Sequence, residues 1–155
     1  MSDKYKNGKI YTIRHKNDDS LIYVGSTIQP LFKRWNQHKE ILNNENYKSY
    51  NMLLYQKMRA TNVNDWYIEL YENFTCDNKE QLNKQEGEVI RKISTLNKRI
   101  EGRTKVEYRE DNRDIINEKK KEYNKIHKDK RKAYREAHKD KIKEYNKEYY
   151  YKNKK

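Results

Sequence analysis

The sequence predicts an α+β domain with a small, mainly antiparallel three-stranded sheet, followed by a basic helical C-terminal tail. Three observations support this class. Short β-branched and aromatic runs occur near the N-terminus, a third such run follows two helical patterns, and the composition changes after Gly102. We therefore expect a folded domain over residues 1–102, which holds the hydrophobic core, and a Lys/Tyr-rich tail over residues 103–155.

Two strands and a hairpin open the predicted domain. Residues 9–14 and 21–25 are short, β-branched and aromatic, which is typical of strands. The polar residues 15–20 between them predict a loop, and Gly25 ends the second strand. Since a hairpin is the shortest connection between two such strands, we expect them to pair antiparallel.

Three helices and one more strand follow. Pro30 fits the first turn of a helix over 30–43, because its missing N–H is not needed there. Apolar spacing predicts a second helix over 49–60 and a third over 77–93. Residues 66–71 alternate with period two, which predicts a half-buried strand whose inward side chains are Trp66, Ile68 and Leu70.

The composition points to a polyanionic partner. Of the 155 residues, 39% are charged and 33% are hydrophobic, and the formal net charge is +13 at pH 7. Nucleic acid is the leading candidate for such a partner, although a merely soluble basic protein would show the same totals. The sequence has no apolar run long enough for a transmembrane helix, so we expect none. The N-terminus does not resemble a signal peptide. The single Cys76 excludes an internal disulfide and a multi-cysteine zinc site, which is compatible with the intracellular setting that we expect.

The tail carries an 11-residue repeat. Tyr123, Tyr134 and Tyr145 recur at this interval, and the tetrad His-Lys-Asp-Lys occurs at 127–130 and at 138–141. Eleven residues equal three helical turns, so the tyrosines share one helical face. Because the tail has few aliphatic residues with which to form a bundle, the pattern favours a long, solvated, basic helix. A disordered charged tail is the alternative.

The two tail histidines are not expected to form a metal site. His127 and His138 share a helical face but lie about 16 Å apart along a straight helix, too far to bind one ion. The lysines are instead spaced to meet phosphates, and the tyrosines can stack on bases or pack against sugars.

Two tripeptides and four single residues are candidates for a functional site. Lys9-Ile10-Tyr11 and Tyr23-Val24-Gly25 lie on the two predicted hairpin strands. Taken singly, each candidate has an ordinary structural explanation, as a strand tyrosine, a solvated helix residue or a helix end. The single residues are, in chain order, Arg34, His38, Glu86 and Asn97.

Taken together, these positions resemble the GIY-YIG nuclease domain over residues 8–97. The first half of the family's motif has Lys9 in place of glycine, although Gly8 precedes it, and the second half has Val24 in place of isoleucine. The single residues match the family's arginine, histidine, metal-binding glutamate and asparagine in the same order. The resemblance implies the GIY-YIG α+β fold and a nuclease activity.

The resemblance further implies a metal-dependent DNA endonuclease of the free-standing homing or mobile-element type, which hydrolyses phosphodiester bonds. Glu86 would hold Mg²⁺ or Mn²⁺, and Arg34 would donate to the phosphate. Tyr11 would take a proton from the attacking water with help from His38, because tyrosine, with a pKa of about 10, is a weak base at neutral pH. The residues implied as catalytic are Tyr11, Tyr23, Arg34, His38, Glu86 and Asn97, and the implied metal ligand is Glu86.

The family commonly joins its catalytic domain to a separate DNA-binding element, which residues 103–155 would supply. We expect DNA as the partner, no membrane, no small-molecule cofactor, and a monomer. Other functions stay open. Lys9 at the glycine position would suit a noncatalytic nucleic-acid-binding protein, and a repair or restriction nuclease would share the motif. A coiled-coil interaction protein built on the tail is disfavoured because the tail lacks an aliphatic seam.

Overall fold

The computed structural model describes residues 3–153, with side chains from Lys4 onwards. The chain divides into two compact units, Met1–Thr104 and Lys105–Lys155. The first unit contains a sheet with helices, and the second is built from helices. These elements confirm the predicted α+β class with a helical C-terminal region.

The sheet of the first unit has three strands in the order β2-β1-β3, and both pairings are antiparallel. The strands are β1 (Lys9–His15), β2 (Asp18–Thr27) and β3 (Trp66–Asn73). Because β1 lies between two partners, its backbone groups are paired on both sides. The predicted antiparallel sheet is therefore confirmed.

The hairpin between β1 and β2 is tighter than predicted. The loop expected over residues 15–20 is wrong, since the turn contains two residues, Lys16 and Asn17, and β2 begins at Asp18. The polar residues 18–20 pair as an exposed strand end, and a register shift between Arg14 and His15 accommodates them. Polarity marked these residues as loop, but a solvated strand end can be equally polar.

Three helices pack on this sheet, namely α1 (Leu31–Asn43), α2 (Leu53–Ala60) and α3 (Lys79–Ile93). Pro30 precedes α1 as its N-cap and does not lie in its first turn. The second helix begins later than predicted, because residues 49–52 form turns. Short 3₁₀ segments occur at Asp3–Asn7 and Val63–Asp65.

Two clusters of buried side chains lie on opposite faces of the sheet. Tyr11 and Ile13 of β1 join the buried residues of α1 and α2, whereas Ile10 joins those of α3. Alternation along β1 thus sends neighbouring side chains into different clusters. The predicted inward position of Leu70 is wrong, since its side chain is 44% exposed. A register irregularity between Ile10 and Tyr11, opposite Leu70 and Glu72, changes the alternation of β3 at this point.

Over residues 105–153 the second unit contains four helices and not the single long helix that the repeat predicts. They are α4 (Lys105–Asp111), α5 (Arg113–Ile126), α6 (Lys128–Ala137) and α7 (Lys139–Asn153). Each break falls four residues after a tyrosine, at Asn112, His127 and His138. The backbone N–H of each break residue still bonds to the carbonyl of that tyrosine, so the breaks are local irregularities in a helical path.

The helices of this second unit are solvated, as predicted. No side chain described in α4 to α7 is buried. Among residues 3–153, no helix combines the length and the apolar character that crossing a membrane requires.

Candidate active site

A fully buried tyrosine hydroxyl joins the central strand to the first helix. Tyr11 has no exposed surface, and its hydroxyl accepts a hydrogen bond of 2.9 Å from Nε of Arg34. A second hydrogen bond, of 2.8 Å, links the same hydroxyl to Nε2 of His38. Because Arg34 and His38 are four residues apart on α1, both project toward β1 from one helical face.

The glycine of the second tripeptide makes room for this tyrosine. Gly25 of β2 lies directly opposite Tyr11 of β1. A Cβ atom added at Gly25 would collide with the Tyr11 hydroxyl. The tyrosine of one motif therefore requires the glycine of the other, because any larger side chain would displace the hydroxyl that Arg34 and His38 contact.

The second motif tyrosine lies against the same histidine. Tyr23 of β2 is buried, and its ring lies edge-on to the His38 imidazole with 5.9 Å between ring centroids. Burial raises the pKa of Tyr23 well above its ordinary value. The hydroxyl is therefore neutral at physiological pH.

A third tyrosine in this cluster was not predicted from the sequence. The hydroxyl of Tyr55, on α2, lies 2.8 Å from Nδ1 of His38. The sequence contains only a weak indication of this contact. Tyr55 lies beside Leu54 and three residues before Met58, which predicts a core tyrosine whose hydroxyl needs a partner but does not say which.

Burial and one positive charge set the protonation states of this cluster. Burial, and then the Arg34 guanidinium, lower the pKa of His38 to about 3. Burial raises the pKa of Tyr11 to about 12, although Arg34 opposes the rise. Burial likewise raises the pKa of Tyr55 to about 12. At neutral pH the cluster therefore holds a neutral imidazole and neutral phenols around one guanidinium.

The predicted metal ligand is a buried carboxylate on α3. Glu86 is 7% exposed, and its Oε2 accepts a hydrogen bond of 2.6 Å from the hydroxyl of Ser26, at the end of β2. Burial raises the pKa of Glu86 to about 7, and the nearby Glu101 adds to the rise, while Ser26 and Arg34 oppose it. A divalent cation beside Glu86 would favour its charged form.

The chemistry of this donor set fits Mg²⁺ or Mn²⁺ better than a softer metal. Among the described residues there is no group of three or more His, Cys, Asp or Glu side chains that would form an all-protein metal cage. Mg²⁺ usually keeps several waters and binds through one or two carboxylates plus substrate phosphates. A single carboxylate at Glu86, with the Ser26 hydroxyl beside it, is therefore a sufficient protein contribution.

An open pocket of about 330 Å³ lies at the end of β2, and Arg34 is among the residues that line it. Ser26, which bonds to Glu86, and Arg34, which bonds to Tyr11, both line this pocket. Helix α1 contributes from one face of the sheet and α3 from the other, with Lys79 and Asn83. The pocket thus gives an anion access to the Arg34 guanidinium.

The predicted site asparagine lies against the edge of β2. Nδ2 of Asn97 donates to the carbonyl of Val24, and the amide N–H of Val24 donates to Oδ1 of Asn97, both over 2.9 Å. The Ser94 hydroxyl also donates to Oδ1. Asn97 therefore fixes the strand that carries Tyr23 and covers part of an otherwise open sheet edge.

Lys9, which replaces the motif glycine, causes no strain. Its Nζ donates to the carbonyl of Asn7 in an exposed contact of 2.8 Å. Among the described residues, Gly102 alone has a positive φ, so the backbone at position 9 does not require glycine. A Cβ at the preceding Gly8 would instead collide with the carbonyl of Phe74. The position at which the backbone leaves no room for a side chain is therefore residue 8 and not residue 9.

Aromatic pairs recur along the tail at the repeat interval. Tyr123 and His127 have ring centroids 4.3 Å apart, and Tyr134 and His138 are stacked at 4.2 Å. The tyrosines and His127 line an open pocket of about 420 Å³ within the second unit. Cationic side chains also line this pocket, namely Lys130, Arg131 and Arg135. Such a mixture of rings and cations suits single-stranded bases and phosphates.

The comparison with known families agrees with the geometry. The family model of the GIY-YIG catalytic domain matches residues 7–101, and the chain therefore belongs to the GIY-YIG family. Neither a curated protein nor a solved structure matched the chain. The resemblance that the motifs indicated is thus confirmed at the level of the family.

Acid should destabilise the protein through His38. Its pKa is about 3 in the folded protein, against an ordinary value of 6.5, so the unfolded chain binds the proton first. The stability that this group contributes is present above pH 6.5 and is lost as the pH falls toward 3, by about 5 kcal/mol in total. Urea unfolding of the wild type and of His38→Gln between pH 4 and 7 measures the loss.

The wild type should lose up to about 1.4 kcal/mol more per pH unit than His38→Gln in this range. His138→Gln, in the tail, is the matched control and should keep the wild-type slope. Equal slopes for the wild type and His38→Gln would show that the histidine is not held neutral.

Removing the side chain of Asn97 should destabilise the first unit. The backbone N–H and C=O of the buried Val24 would lose their partners, which costs about 2–4 kcal/mol for the two groups. Thermal and urea unfolding of Asn97→Ala measure the change. Asn46→Ala is the control, because Asn46 is exposed, and it should be close to neutral. Similar stabilities for the two variants would contradict the positioning of Asn97.

Proposed function

We propose that the protein is a metal-dependent DNA endonuclease of the free-standing homing or mobile-element type. As a member of the GIY-YIG family with a catalytic domain over residues 7–101, the chain is a nuclease by class. The observation that supports the finer proposal is the shared hydroxyl of Tyr11, which contacts Arg34 and His38 beside the pocket that Ser26 lines.

The charged groups at the pocket suit the hydrolysis of a phosphodiester. The pentacoordinate transition state places additional negative charge on the phosphate oxygens, and a guanidinium fixed by Tyr11 stabilises that charge without rearranging. Gln37 accepts from Nη1 of Arg34 over 3.0 Å, which further fixes the guanidinium. A divalent cation at Glu86 would act as a Lewis acid toward the phosphate and the leaving oxygen.

The proton of the attacking water would pass through Tyr11, whose hydroxyl is fully buried, so the binding of DNA would first have to expose it to that water. Its hydroxyl can accept that proton only if it gives up its own, and His38 lies in hydrogen-bond contact to receive it. The low pKa of His38 keeps the imidazole unprotonated before the reaction, and it also makes His38 a weaker base than an ordinary histidine, so the contact geometry and not the pKa supports this role. Arg34 favours transient phenolate character at Tyr11 by donating to the same oxygen.

The tail would supply affinity for DNA. The chain has 37 Lys and Arg residues against 24 Asp and Glu, and the cations of the tail line its pockets together with tyrosines. Phosphate contacts of this kind give binding without sequence information. We propose a monomer within the cell as the working form.

The alternatives have less support. Lys9 suggested a noncatalytic protein, but this side chain points to an exposed backbone carbonyl and leaves the tyrosine cluster intact. The coiled-coil function lacks a buried seam, since no described side chain of α4 to α7 is buried. A repair or restriction role would use the same site, and mapping of cleavage sites on genomic DNA would distinguish it from homing.

Removing the Glu86 carboxylate should abolish cleavage. We expect Glu86→Ala to lower the rate of plasmid nicking in Mg²⁺ or Mn²⁺ by about 100-fold or more, with nearly unchanged DNA affinity. Glu88→Ala is the matched control, because Glu88 lies two residues away on the same helix and is exposed. Wild-type nicking by Glu86→Ala, or loss of nicking in Glu88→Ala, would refute the assignment.

Removing the tail should weaken binding and its dependence on salt. Truncation after Thr104 follows the boundary between the two compact units. If the tail neutralises six phosphates, the affinity of the full chain falls about 1000-fold between 50 and 200 mM salt, and the truncated chain loses most of that slope. Fluorescence anisotropy with labelled DNA measures both dissociation constants. An unchanged salt slope would exclude the tail as the DNA-binding element.

A further inference from the structure

Both ring nitrogens of His38 contact tyrosine hydroxyls. Nε2 lies 2.8 Å from the hydroxyl of Tyr11, and Nδ1 lies 2.8 Å from the hydroxyl of Tyr55. The two tyrosines come from different elements, β1 and α2, and the histidine between them is 1% exposed. A neutral imidazole carries one hydrogen, so one contact has the histidine as donor and the other has it as acceptor.

The surroundings of Tyr11 decide which nitrogen is the acceptor. The Tyr11 oxygen already accepts from Nε of Arg34, which can only donate. The hydroxyl is fully buried and packs against Gly25, so its own hydrogen needs a protein acceptor. Nε2 of His38 is the acceptor within reach. The histidine hydrogen then lies on Nδ1 and donates to the oxygen of Tyr55.

We infer that Tyr55 is a positioning residue of the nuclease site. By accepting from Nδ1 of His38 it holds the tautomer whose Nε2 lone pair faces Tyr11. The catalytic part of this inference rests on the proposed endonuclease function, whereas the assignment of the tautomer stands on the geometry of the folded protein.

The hydrogen bond between Nδ1 of His38 and Tyr55 would also stabilise the charged imidazolium that forms during the proposed reaction. As the water oxygen bonds to phosphorus, a water O–H bond breaks and its proton goes to the Tyr11 oxygen, while the Tyr11 proton goes to Nε2. His38 is then an imidazolium with two N–H groups, until it returns one proton to solvent and the leaving oxygen takes one up. Without Tyr55, the Nδ1–H of this buried cation would have no acceptor, at a cost comparable to a lost charged hydrogen bond.

Among the described residues, no other group hydrogen-bonds to the His38 ring. The rings of Tyr23 and Trp35 approach it with centroids 5.9 and 6.5 Å away, and the guanidinium of Arg34 is the charge that acts on it. The ring contacts restrict the position of the imidazole but do not select a tautomer. The hydroxyl of Tyr55 restricts the position of the imidazole and also provides the acceptor for Nδ1–H in the tautomer that the surroundings of Tyr11 require.

The test is a comparison of the full-length wild type with Tyr55→Phe, which removes the hydroxyl and keeps the ring. The ¹⁵N resonances of the His38 ring, assigned by their loss in His38→Gln, report the tautomer directly. We expect hydrogen on Nδ1 in the wild type and a shift toward hydrogen on Nε2 in Tyr55→Phe. Tyr47→Phe is the control, because that exposed tyrosine bonds to Glu40 away from the cluster.

Plasmid nicking supplies the second readout. We expect Tyr55→Phe to lower kcat about 10- to 100-fold at unchanged KM for DNA, in the range found when a partner that orients a histidine is removed. Tyr47→Phe should cut at the wild-type rate. A purely structural role for Tyr55 would lower stability but would change neither the tautomer nor kcat of the folded fraction.

The two proposals fail in different ways. If the wild type does not cut DNA but has hydrogen on Nδ1, the endonuclease function is wrong and the positioning of His38 stands. If the wild type cuts DNA but has hydrogen on Nε2, the role of Tyr55 is overturned. That measurement needs the wild type alone, so it decides the inference even if Tyr55→Phe does not fold. An unchanged tautomer and kcat in a folded Tyr55→Phe would also overturn it.

Discussion

The structure of the first unit depends on the hydrogen bonds of one buried hydroxyl, that of Tyr11. It accepts a hydrogen bond from Arg34 and forms another with Nε2 of His38, so the central strand and the first helix are fixed at one spacing. A buried polar group that loses its partners costs about 1–3 kcal/mol, so helix α1 cannot shift without a penalty. The same buried hydroxyl explains why position 25 is glycine, because the hydroxyl occupies the space in which a Cβ would lie. The stability of this unit and its proposed chemistry thus depend on the same contacts.

Burial in this cluster leaves one side chain charged and keeps its neighbours neutral. The guanidinium of Arg34 stays charged, whereas His38 and Tyr11 are kept neutral mainly by desolvation. Glu86 approaches from α3 on the other face of the sheet, through the Ser26 hydroxyl. At the end of β2, Arg34 and Ser26 therefore line one open pocket, and the Ser26 hydroxyl bonds to the buried carboxylate of Glu86. This arrangement suits an anion accompanied by a divalent cation.

Several features were predictable because they follow from local spacing. Alternation and apolar periodicity predict the three strands and the three helices of the first unit, and the four-residue spacing of Arg34 and His38 places them on one face. Errors arise where polarity is ambiguous. Polarity predicts a loop at residues 18–20, which in fact continue β2, and alternation predicts an inward Leu70, which the irregular pairing of β3 with β1 leaves exposed. In the tail, the 11-residue period predicts a helix but not its breaks.

The sequence by itself determined the fold class, the family and the order of the six motif positions, since these depend on residue type and spacing along the chain. Only the tertiary structure decided which partners these residues have. It placed the amide of Asn97 on the Val24 backbone and brought Tyr55 to His38. Contacts of this kind depend on how α2 packs against α1 and how deeply both are buried. Neither the packing of these two helices nor the depth of their burial produces a periodic pattern in the sequence.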